Sequence, residues 1–252
     1  MITMKSLNNK IIITGGSSGI GFDLIKNFLN RSFKVLCISR KKPNINHINL
    51  KFLKLDLSKK NSLIKKRKEI QNFGSKYLIC NAADLGEINH IEKVNLKKWE
   101  NSFFLNLFSS VYLTKYTLNS IKKKNGAIIF FAGGGAANSF KKFSSYSLAK
   151  TAIVRFAENL ASESNNKFYS FAITPGPVKT KLMNKTLRHG HKIKKSRIIS
   201  SKKCIELINF LIKCKKKFMN GKYIHANDNY KNFTEKNSKN LFFLRRTENR
   251  NI

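Results

Sequence analysis

A tyrosine and a lysine lie four residues apart, Tyr146 and Lys150, within a segment that has helical spacing. Residues four apart share one face of a helix, so the phenol and the ammonium can face one pocket. A free tyrosine has a pKa of about 10, too high for easy proton exchange at neutral pH. A neighbouring ammonium favours the phenolate and lowers that pKa. The pair therefore predicts a tyrosine that exchanges a proton with a substrate oxygen.

A glycine-rich turn, residues 14–21, joins an apolar strand-like run to a segment with helical spacing. Glycines let such a turn be tight and let backbone N–H groups approach a pyrophosphate, which then lies at the positive end of the helix. A strand, a glycine turn and a helix in this order are the context that gives a glycine cluster its meaning. The turn therefore predicts a dinucleotide-binding site.

Strand-like and helix-like segments alternate along the chain, which predicts an α/β fold: a doubly wound parallel sheet with helices on both faces. Strands are expected at residues 11–13, 33–38, 52–55, 77–80, 127–131, 169–174 and 222–225. Helices are expected at 20–29, at 59–72 with Ser58 as the cap, within an amphipathic stretch at 96–123, and at 144–162 and 202–213. Because no Pro/Gly/Ser linker divides the chain, we expect a single domain over residues 1–229. It carries a basic substrate lid at about 179–200 and is followed by a polar basic tail at 230–252.

The glycine turn and the helical pair resemble those of the short-chain dehydrogenase/reductase family, which carries the spacings TGxxxGxG and YxxxK in this order. Three further segments match the family: Asp56 after the third strand, Asn81-Ala82-Ala83 after the fourth with Ala83 where glycine is usual, and Pro175-Gly176 after the sixth. The resemblance covers about residues 10–226. It implies a Rossmann-like fold and an oxidoreductase that transfers hydride between a nicotinamide cofactor and a carbonyl or alcohol, with Tyr146 as general acid and base. In the oxidised complex, the positive nicotinamide would act with the Lys150 ammonium to lower the pKa of Tyr146.

The resemblance also implies roles for individual residues. Lys150 would hold the nicotinamide ribose, Asn106 would support a water-linked proton relay from Lys150, and Asp56 would contact the adenine amino group. No metal site is implied. The implied cofactor-binding positions are Thr14, Gly15, Ser17, Ser18, Gly19, Ile20, Gly21, Ser39, Arg40, Asp56, Leu57, Asn81, Ala82, Ala83, Tyr146, Lys150, Pro175, Gly176, Val178 and Thr180.

The end of the second strand bears on the choice of cofactor. Family members that prefer NAD usually place an acid there, which binds the ribose 2′-hydroxyl and would repel a 2′-phosphate. Here Arg40 follows Ser39 with no acid beside it. A planar guanidinium suits a phosphate, so we expect NADP(H), with NAD(H) as the alternative.

One catalytic position departs from the family pattern. The family serine that hydrogen-bonds the substrate oxygen lies thirteen residues before the tyrosine, and Gly133 stands there. Losing one oxyanion donor typically costs ~10²–10³ in turnover. One interpretation is a weakened reductase, in which Gly133→Ser would raise turnover about tenfold by restoring part of that hydrogen bond. The alternative is a catalytically weak nucleotide-binding protein that acts as a sensor or assembly partner.

The net charge of +37, from 50 basic and 13 acidic residues, raises the question of nucleic-acid binding. The lysines are spread along the whole chain, however, and no nucleic-acid-binding motif is visible. Lys, Asn, Ile and Phe are all frequent and share A/T-rich codons, so base composition accounts for the charge. We therefore expect no specific nucleic-acid partner but a small carbonyl or alcohol substrate, and the basic lid leaves an anionic substrate open.

Three features bear on location and assembly. No run of about 18 apolar residues predicts a membrane span, and residues 1–10 do not resemble a signal peptide. The four cysteines are scattered without a CxxC pair, and Cys37 and Cys80 lie in apolar strands, which favours reduced thiols. We therefore expect a cytoplasmic protein. The family resemblance adds a homodimer or homotetramer, joined through the long helices before and after the fifth strand.

Overall fold

The computed structural model describes residues 9–194, 196 and 198–240, and over these residues seven parallel strands form one sheet. The strands lie side by side in the order β3-β2-β1-β4-β5-β6-β7. Their bounds are β1 (Lys10–Thr14), β2 (Lys34–Ser39), β3 (Leu50–Lys54), β4 (Tyr77–Cys80), β5 (Ala127–Phe131), β6 (Tyr169–Thr174) and β7 (Tyr223–His225).

Helices cover both faces of the sheet. Their bounds are α1 (Gly19–Asn30), α2 (Lys60–Lys65), α3 (Arg67–Phe73), α4 (Leu96–Phe103), α5 (Ser109–Lys123), α6 (Ser144–Ser162), α7 (Lys181–Arg188) and α8 (Ser201–Leu211). A π-helical turn, Phe104–Phe108, joins α4 to α5. The core on one face contains side chains from α1 and α8, and the core on the other contains side chains from α5 and α6.

The strand pattern explains these two cores. Successive side chains of a strand point to opposite faces of the sheet. In β1, Ile11 and Ile13 are buried in the α1/α8 core, whereas Ile12 is buried in the α5/α6 core. A strand that is buried on both faces reads as a continuous apolar run rather than an alternating one. The predicted Rossmann-like doubly wound sheet is confirmed.

The structure corrects one local prediction, the helix at 59–72 capped by Ser58. The segment forms two helices, α2 and α3, and the residue at the start of α2 is Lys59, without a side-chain cap bond. The Ser58 hydroxyl instead donates to Asp56 Oδ1 at 2.7 Å. Serine often bonds a nearby polar group in place of capping, and here the carboxylate two residues before it is the acceptor.

The predicted lid is an insertion whose two ends meet. Val178 and Ile199 pair as an isolated parallel bridge, and the Ile199 N–H donates to the Pro177 carbonyl at 2.9 Å. Between these ends the chain forms α7. The insertion therefore starts from a fixed base beside the end of β6.

The chain after β7 packs against α8. Tyr230, the first residue of the predicted tail, is buried with its ring centre 5.2 Å from that of Phe210 on α8. Residues 241–252 of that tail lie outside the described residues. Cys37, Cys80, Cys204 and Cys214 are buried free thiols. Among the described helices, none has the length and apolar character that crossing a bilayer requires.

Candidate active site

The glycine turn lies at the carboxyl end of β1, where the sheet order reverses between β1 and β4. Ligands of open α/β sheets bind in the crevice at such a point. Gly15 has a φ of 71°, a conformation that glycine adopts without strain. A Cβ on Gly21 would lie only 2.4 Å from the Gly15 carbonyl oxygen, so this close approach also requires glycine.

The turn that follows β4 is bonded to the glycine turn. The Thr14 hydroxyl accepts the backbone N–H groups of Asn81 and Ala82 at 3.0 and 2.9 Å. The Asn81 side-chain amide donates to the Thr14 carbonyl at 2.9 Å. Two predicted segments that are far apart in sequence, 14–21 and 81–83, are therefore brought together. Ala83 is half-buried in the same turn.

The start of α1 is open toward this crevice. Ser18 has extended backbone angles and makes no side-chain cap bond, so the first N–H groups of α1 have no capping side chain among the described residues. Ser18 and Gly19 are exposed, and Ser17 and Ile20 are half-buried. Unpaired N–H groups and the positive end of the helix dipole attract a phosphate.

The ends of β2 and β3 bring a guanidinium and a carboxylate to the same edge. Ser39 and Leu57 are buried, and Arg40 is exposed. Burial acts to raise the pKa of Asp56, but hydrogen bonds from Ser58 and the charges of Arg40 and Lys59 outweigh it and hold that pKa below its ordinary value. Asp56 is therefore a carboxylate at neutral pH, with the positive charge of Arg40 acting on it.

The segment after β6 brings the start of the lid onto the glycine turn. Thr180 accepts the Met183 N–H at 3.2 Å and caps α7. A Cβ on Gly19 would lie 3.3 Å from the Thr180 methyl, so the two residues are in close contact. Pro175 and Gly176 are half-buried beside them, and Val178 is buried.

Tyr146 and Lys150 lie on the first turns of α6, and contacts to α4 fix that end of the helix. The Trp99 indole N–H donates to the Ser144 hydroxyl at 2.9 Å, and the Ser145 hydroxyl donates to the Trp99 carbonyl at 2.8 Å. The side chain of Tyr146 is 8% exposed and that of Lys150 is 2% exposed. The Lys150 ammonium lies 5.6 Å from the centre of the Tyr146 ring and donates to the Phe131 carbonyl at 2.8 Å.

In the protein without its cofactor, burial shifts the pKa values of Tyr146 and Lys150, whereas the predicted lowering of the Tyr146 pKa refers to the oxidised complex and stays a prediction. Burial raises the pKa of Tyr146 above its ordinary value, and the nearby phenol of Tyr223 acts in the same direction. Burial also lowers the pKa of Lys150 to about 8, against an opposing effect of Cys80. Removal of both side chains from water is the largest cause of each shift, because burial penalises the charged form of each group.

Asn106 lies in the π-helical turn that packs against α6. Its amide nitrogen donates to the Asp84 carbonyl at 2.7 Å and to the Ser102 carbonyl at 2.9 Å. Its Oδ1 atom is buried and has no hydrogen-bond partner within the described part of the chain. A buried acceptor without a partner is uncommon and is typically met by water or a ligand.

Gly133 lies beside the Tyr146 hydroxyl. A Cβ built on Gly133 would stand 2.9 Å from Tyr146 Oη, so a side chain at this position would point at the phenol. Sequence analysis missed Tyr223, whose hydroxyl donates to the Gly133 carbonyl at 2.9 Å from strand β7. The signal was a tyrosine in the short strand before His225, and that signal alone did not indicate a site.

A cavity of about 1360 Å³ opens at this end of the sheet and joins the active-site tyrosine to the lid. Its apolar wall includes Leu85, Phe140, Phe143, Leu182 and Met183. The ring centres of Phe140 and His191 lie 4.5 Å apart, which brings the lid onto the segment after β5. Exposed Lys192 and Lys194 also line the cavity.

The residues present fit a nicotinamide dinucleotide. The uncapped start of α1 and the glycine turn suit a pyrophosphate, and Arg40 and Asp56 stand at the adjoining strand ends. The orphaned Asn106 oxygen and the Lys150 ammonium provide polar groups around Tyr146. The catalytic and cofactor positions predicted from the sequence therefore converge on one edge of the sheet.

Comparison with known proteins agrees with this geometry. A family model for short chain dehydrogenases matches residues 9–191. A 3-oxoacyl-(acyl-carrier-protein) reductase of Buchnera aphidicola subsp. Schizaphis graminum is 29% identical over 240 residues, covering 89% of this chain and 98% of that protein. A benzil reductase of Saccharomyces cerevisiae is 28% identical over 196 residues, covering 71% of this chain and 74% of that protein. The solved structure of a short chain dehydrogenase family protein from Francisella tularensis has a TM-score of 0.76 at 26% identity, covering 86% of this chain and 96% of that one.

Proposed function

The chain belongs to the short-chain dehydrogenase/reductase family, and from that premise we propose that it reduces a carbonyl substrate with NADPH and that Tyr146 is the proton donor. The observation that carries this proposal is the placement of Tyr146 and Lys150. They are buried one helical turn apart, and Tyr146 lines a cavity of about 1360 Å³ at the same end of the sheet as the glycine turn.

The chemistry assigned to the side chains follows from their environment. A bound nicotinamide supplies the hydride that adds to the carbonyl carbon. Tyr146 then gives its phenolic proton to the carbonyl oxygen, and the product is an alcohol. Because burial raises the pKa of Tyr146, the phenol is protonated at neutral pH in the protein without cofactor, as a proton donor must be.

Lys150 and Asn106 assist the proton transfer from Tyr146. With a pKa of about 8, Lys150 is mostly charged at neutral pH. The ammonium would hold the ribose hydroxyls and would favour the phenolate form of Tyr146 after proton transfer. The unpartnered Asn106 oxygen suits an ordered water that returns a proton from solvent through Lys150.

Arg40 supports NADPH over NADH. It is exposed at the end of β2, and its charge acts on Asp56, whose pKa Arg40 helps to lower. A guanidinium at this position can make bidentate hydrogen bonds to a 2′-phosphate, and no acidic residue on β2 would repel that phosphate.

The cavity supports a 3-oxoacyl thioester as the substrate class. Its wall of Leu85, Phe140, Phe143 and Met183 suits an acyl chain, and Lys192 and Lys194 on the lid suit an anionic carrier. The Buchnera relative is named for a reaction on a substrate of this kind. Exposed apolar side chains on the helical layer, Leu96, Phe108 and Leu148, support a homo-oligomer through α4, α5 and α6.

Loss of NADPH absorbance with a panel of carbonyls, including 3-oxoacyl thioesters and benzil, tests the proposal. Tyr146→Phe keeps the ring but removes the proton donor, so turnover is expected to fall by ~10² or more while NADPH binding persists. Tyr169→Phe is the matched control, since it removes one hydroxyl from another buried tyrosine, which lies on β6 and bonds the Lys215 carbonyl.

Two outcomes would contradict it. Turnover of Tyr146→Phe within about threefold of the unaltered protein would show that Tyr146 is not the acid. NADPH binding without hydride transfer to any carbonyl would instead favour the alternative, a catalytically weak nucleotide-binding protein that senses the cofactor or assists assembly. The specific observation behind that alternative is the missing side chain at Gly133.

A further inference from the structure

The reaction centre needs a second hydrogen-bond donor. As hydride adds to a carbonyl, negative charge develops on an oxygen with two lone pairs, and Tyr146 occupies one of them. A further donor aimed at that oxygen is worth ~10²–10³ in turnover. At Gly133, the position whose side chain would point at the Tyr146 hydroxyl, the chain offers none.

Other hydroxyl groups that line the cavity are engaged or exposed. The Thr180 hydroxyl caps α7, and that of Thr186 donates to the Leu182 carbonyl at 3.0 Å. Ser139 and Ser196 are exposed. Thr174 is buried, and its side chain hydrogen-bonds the hydroxyl of Tyr223.

Tyr223 differs from these groups in where its hydroxyl lies. It is 7% exposed, lines the same cavity as Tyr146, and reaches from β7 to donate to the Gly133 carbonyl at 2.9 Å. Gly133 is thus contacted from two sides. The Tyr146 hydroxyl lies 2.9 Å from the position that a Cβ of Gly133 would take, and the Tyr223 hydroxyl donates to the Gly133 carbonyl oxygen.

We propose that Tyr223 is a second catalytic hydroxyl, which donates a hydrogen bond to the substrate oxygen beside Tyr146. This inference rests on the proposed reductase function. Tyr223 can release its present acceptor, because the Gly133 carbonyl also accepts the Ala136 N–H at 2.9 Å and keeps that partner. The Thr174 side chain holds the phenol oxygen in place while the proton turns toward the substrate.

The protonation state suits this role. Burial raises the pKa of Tyr223 to about 12, against an opposing hydrogen bond from Thr174 and together with the negative charge of Asp228. Tyr223 therefore keeps its proton throughout the pH range in which a reductase works. It acts as a hydrogen-bond donor and not as a proton source, and Tyr146 remains the acid.

Steady-state kinetics of Tyr223→Phe test the inference. We expect kcat for carbonyl reduction to fall about 10²-fold, with KM changed less than threefold and NADPH affinity unchanged, because the donor acts on charge that appears in the transition state. Tyr169→Phe is the matched control. It removes a tyrosine hydroxyl on the adjacent strand that also donates to a backbone carbonyl, that of Lys215, at 2.9 Å. It should match Tyr223→Phe in thermal stability but keep full kcat.

The outcomes separate this inference from the proposed function. An unaltered protein that reduces no carbonyl overturns both. An active protein whose Tyr223→Phe variant keeps kcat within about threefold, or loses NADPH affinity as much as turnover, overturns the role of Tyr223 alone. If Tyr223→Phe does not fold, 3-fluorotyrosine at 223 retains ring and hydroxyl but strengthens the donor. A change in kcat of about twofold or more is then expected, and an unchanged kcat overturns the inference.

Discussion

Replacing Lys150 with methionine should stabilise the protein while it removes catalysis. Lys150 is 2% exposed, and its ammonium donates to the Phe131 carbonyl. The ionisable groups that face it are Tyr146, which burial keeps protonated, and Cys80, whose pKa burial raises to about 12. The ammonium therefore has no anionic partner among the described groups around it at neutral pH. Methionine keeps the length and apolar stem of the side chain without the charge.

The size of the effect follows from the pKa of Lys150. Burial lowers that pKa from 10.5 to about 8, and each unit corresponds to about 1.36 kcal/mol, so charging the buried group costs about 3 kcal/mol. Loss of the hydrogen bond to Phe131 offsets about 1 kcal/mol. A gain of about 2 kcal/mol in the free energy of unfolding remains. For a chain of this size it raises Tm by roughly 4–8 °C.

The stability gained by Lys150→Met should depend on pH. The folded pKa of Lys150 lies below the unfolded one, so the unfolded chain binds the extra proton between about pH 8 and pH 10.5. The stability of the unaltered protein therefore rises with pH across that window as far as this group is concerned. The advantage of Lys150→Met is full below about pH 8, shrinks through the window, and is lost above about pH 10.5.

Thermal melts of Lys150→Met at pH 7 and at pH 10.5, beside the unaltered protein, measure this difference. Lys167→Met, which removes an exposed lysine, is the control and should shift Tm little at either pH. A Lys150→Met variant that melts below the unaltered protein at pH 7 would refute the reasoning. The buried ammonium would then be stabilised by its surroundings rather than retained for chemistry at the expense of stability.

Two further predictions concern Arg40 and Gly133. The unaltered protein should bind NADPH at least tenfold more tightly than NADH, and Arg40→Asp should reverse that order because a carboxylate repels the 2′-phosphate. Fluorescence titration measures both affinities, and Lys42→Asp, which makes the same charge change two residues further on, is the control. Equal affinities of the unaltered protein for the two cofactors would remove the basis for NADPH. Gly133→Ser should lower turnover about tenfold rather than raise it, since its Cβ would stand 2.9 Å from the Tyr146 hydroxyl and displace the acid by part of an ångström. Ala137→Ser adds the same group at an exposed site of that segment and should keep full turnover, whereas a gain in Gly133→Ser would show that a donor is missing.

Most of the fold could be predicted because the central strands of the sheet are buried on both faces. The sequence of such a strand is a short apolar run between turn residues, and β4, β5 and β6 begin and end where the sequence predicts. The helix of Tyr146 is also bounded as predicted, 144–162. Helix ends depend on local competition that a pattern does not show, and this is why Ser58 bonds Asp56 instead of capping α2.

The candidate site was predictable where spacing along the chain decides it and not where burial or strand order does. The glycine turn and the Tyr146–Lys150 pair each lie within a few residues of sequence. Burial, which the sequence does not state, raises the pKa of Tyr146 in the protein without its cofactor. The predicted lowering of that pKa refers to the oxidised complex and stays a prediction. Tyr223 reaches the site because β7 lies beside β6, and its partner Gly133 is 90 residues away along the chain.

The absence of a side chain at Gly133 is weak support for a protein without catalysis once its neighbours are considered. A residue that had lost its function without compensation would leave an empty space beside Tyr146. Here Tyr146 lies where a Cβ would crowd it, and a second phenol, Tyr223, is hydrogen-bonded to the same glycine. The position of the Tyr146 hydroxyl depends on the missing Cβ, and both hydroxyls line the cavity. The choice between a reductase and a nucleotide-binding protein therefore depends on what the Tyr223 hydroxyl contributes to turnover, and not on the identity of residue 133.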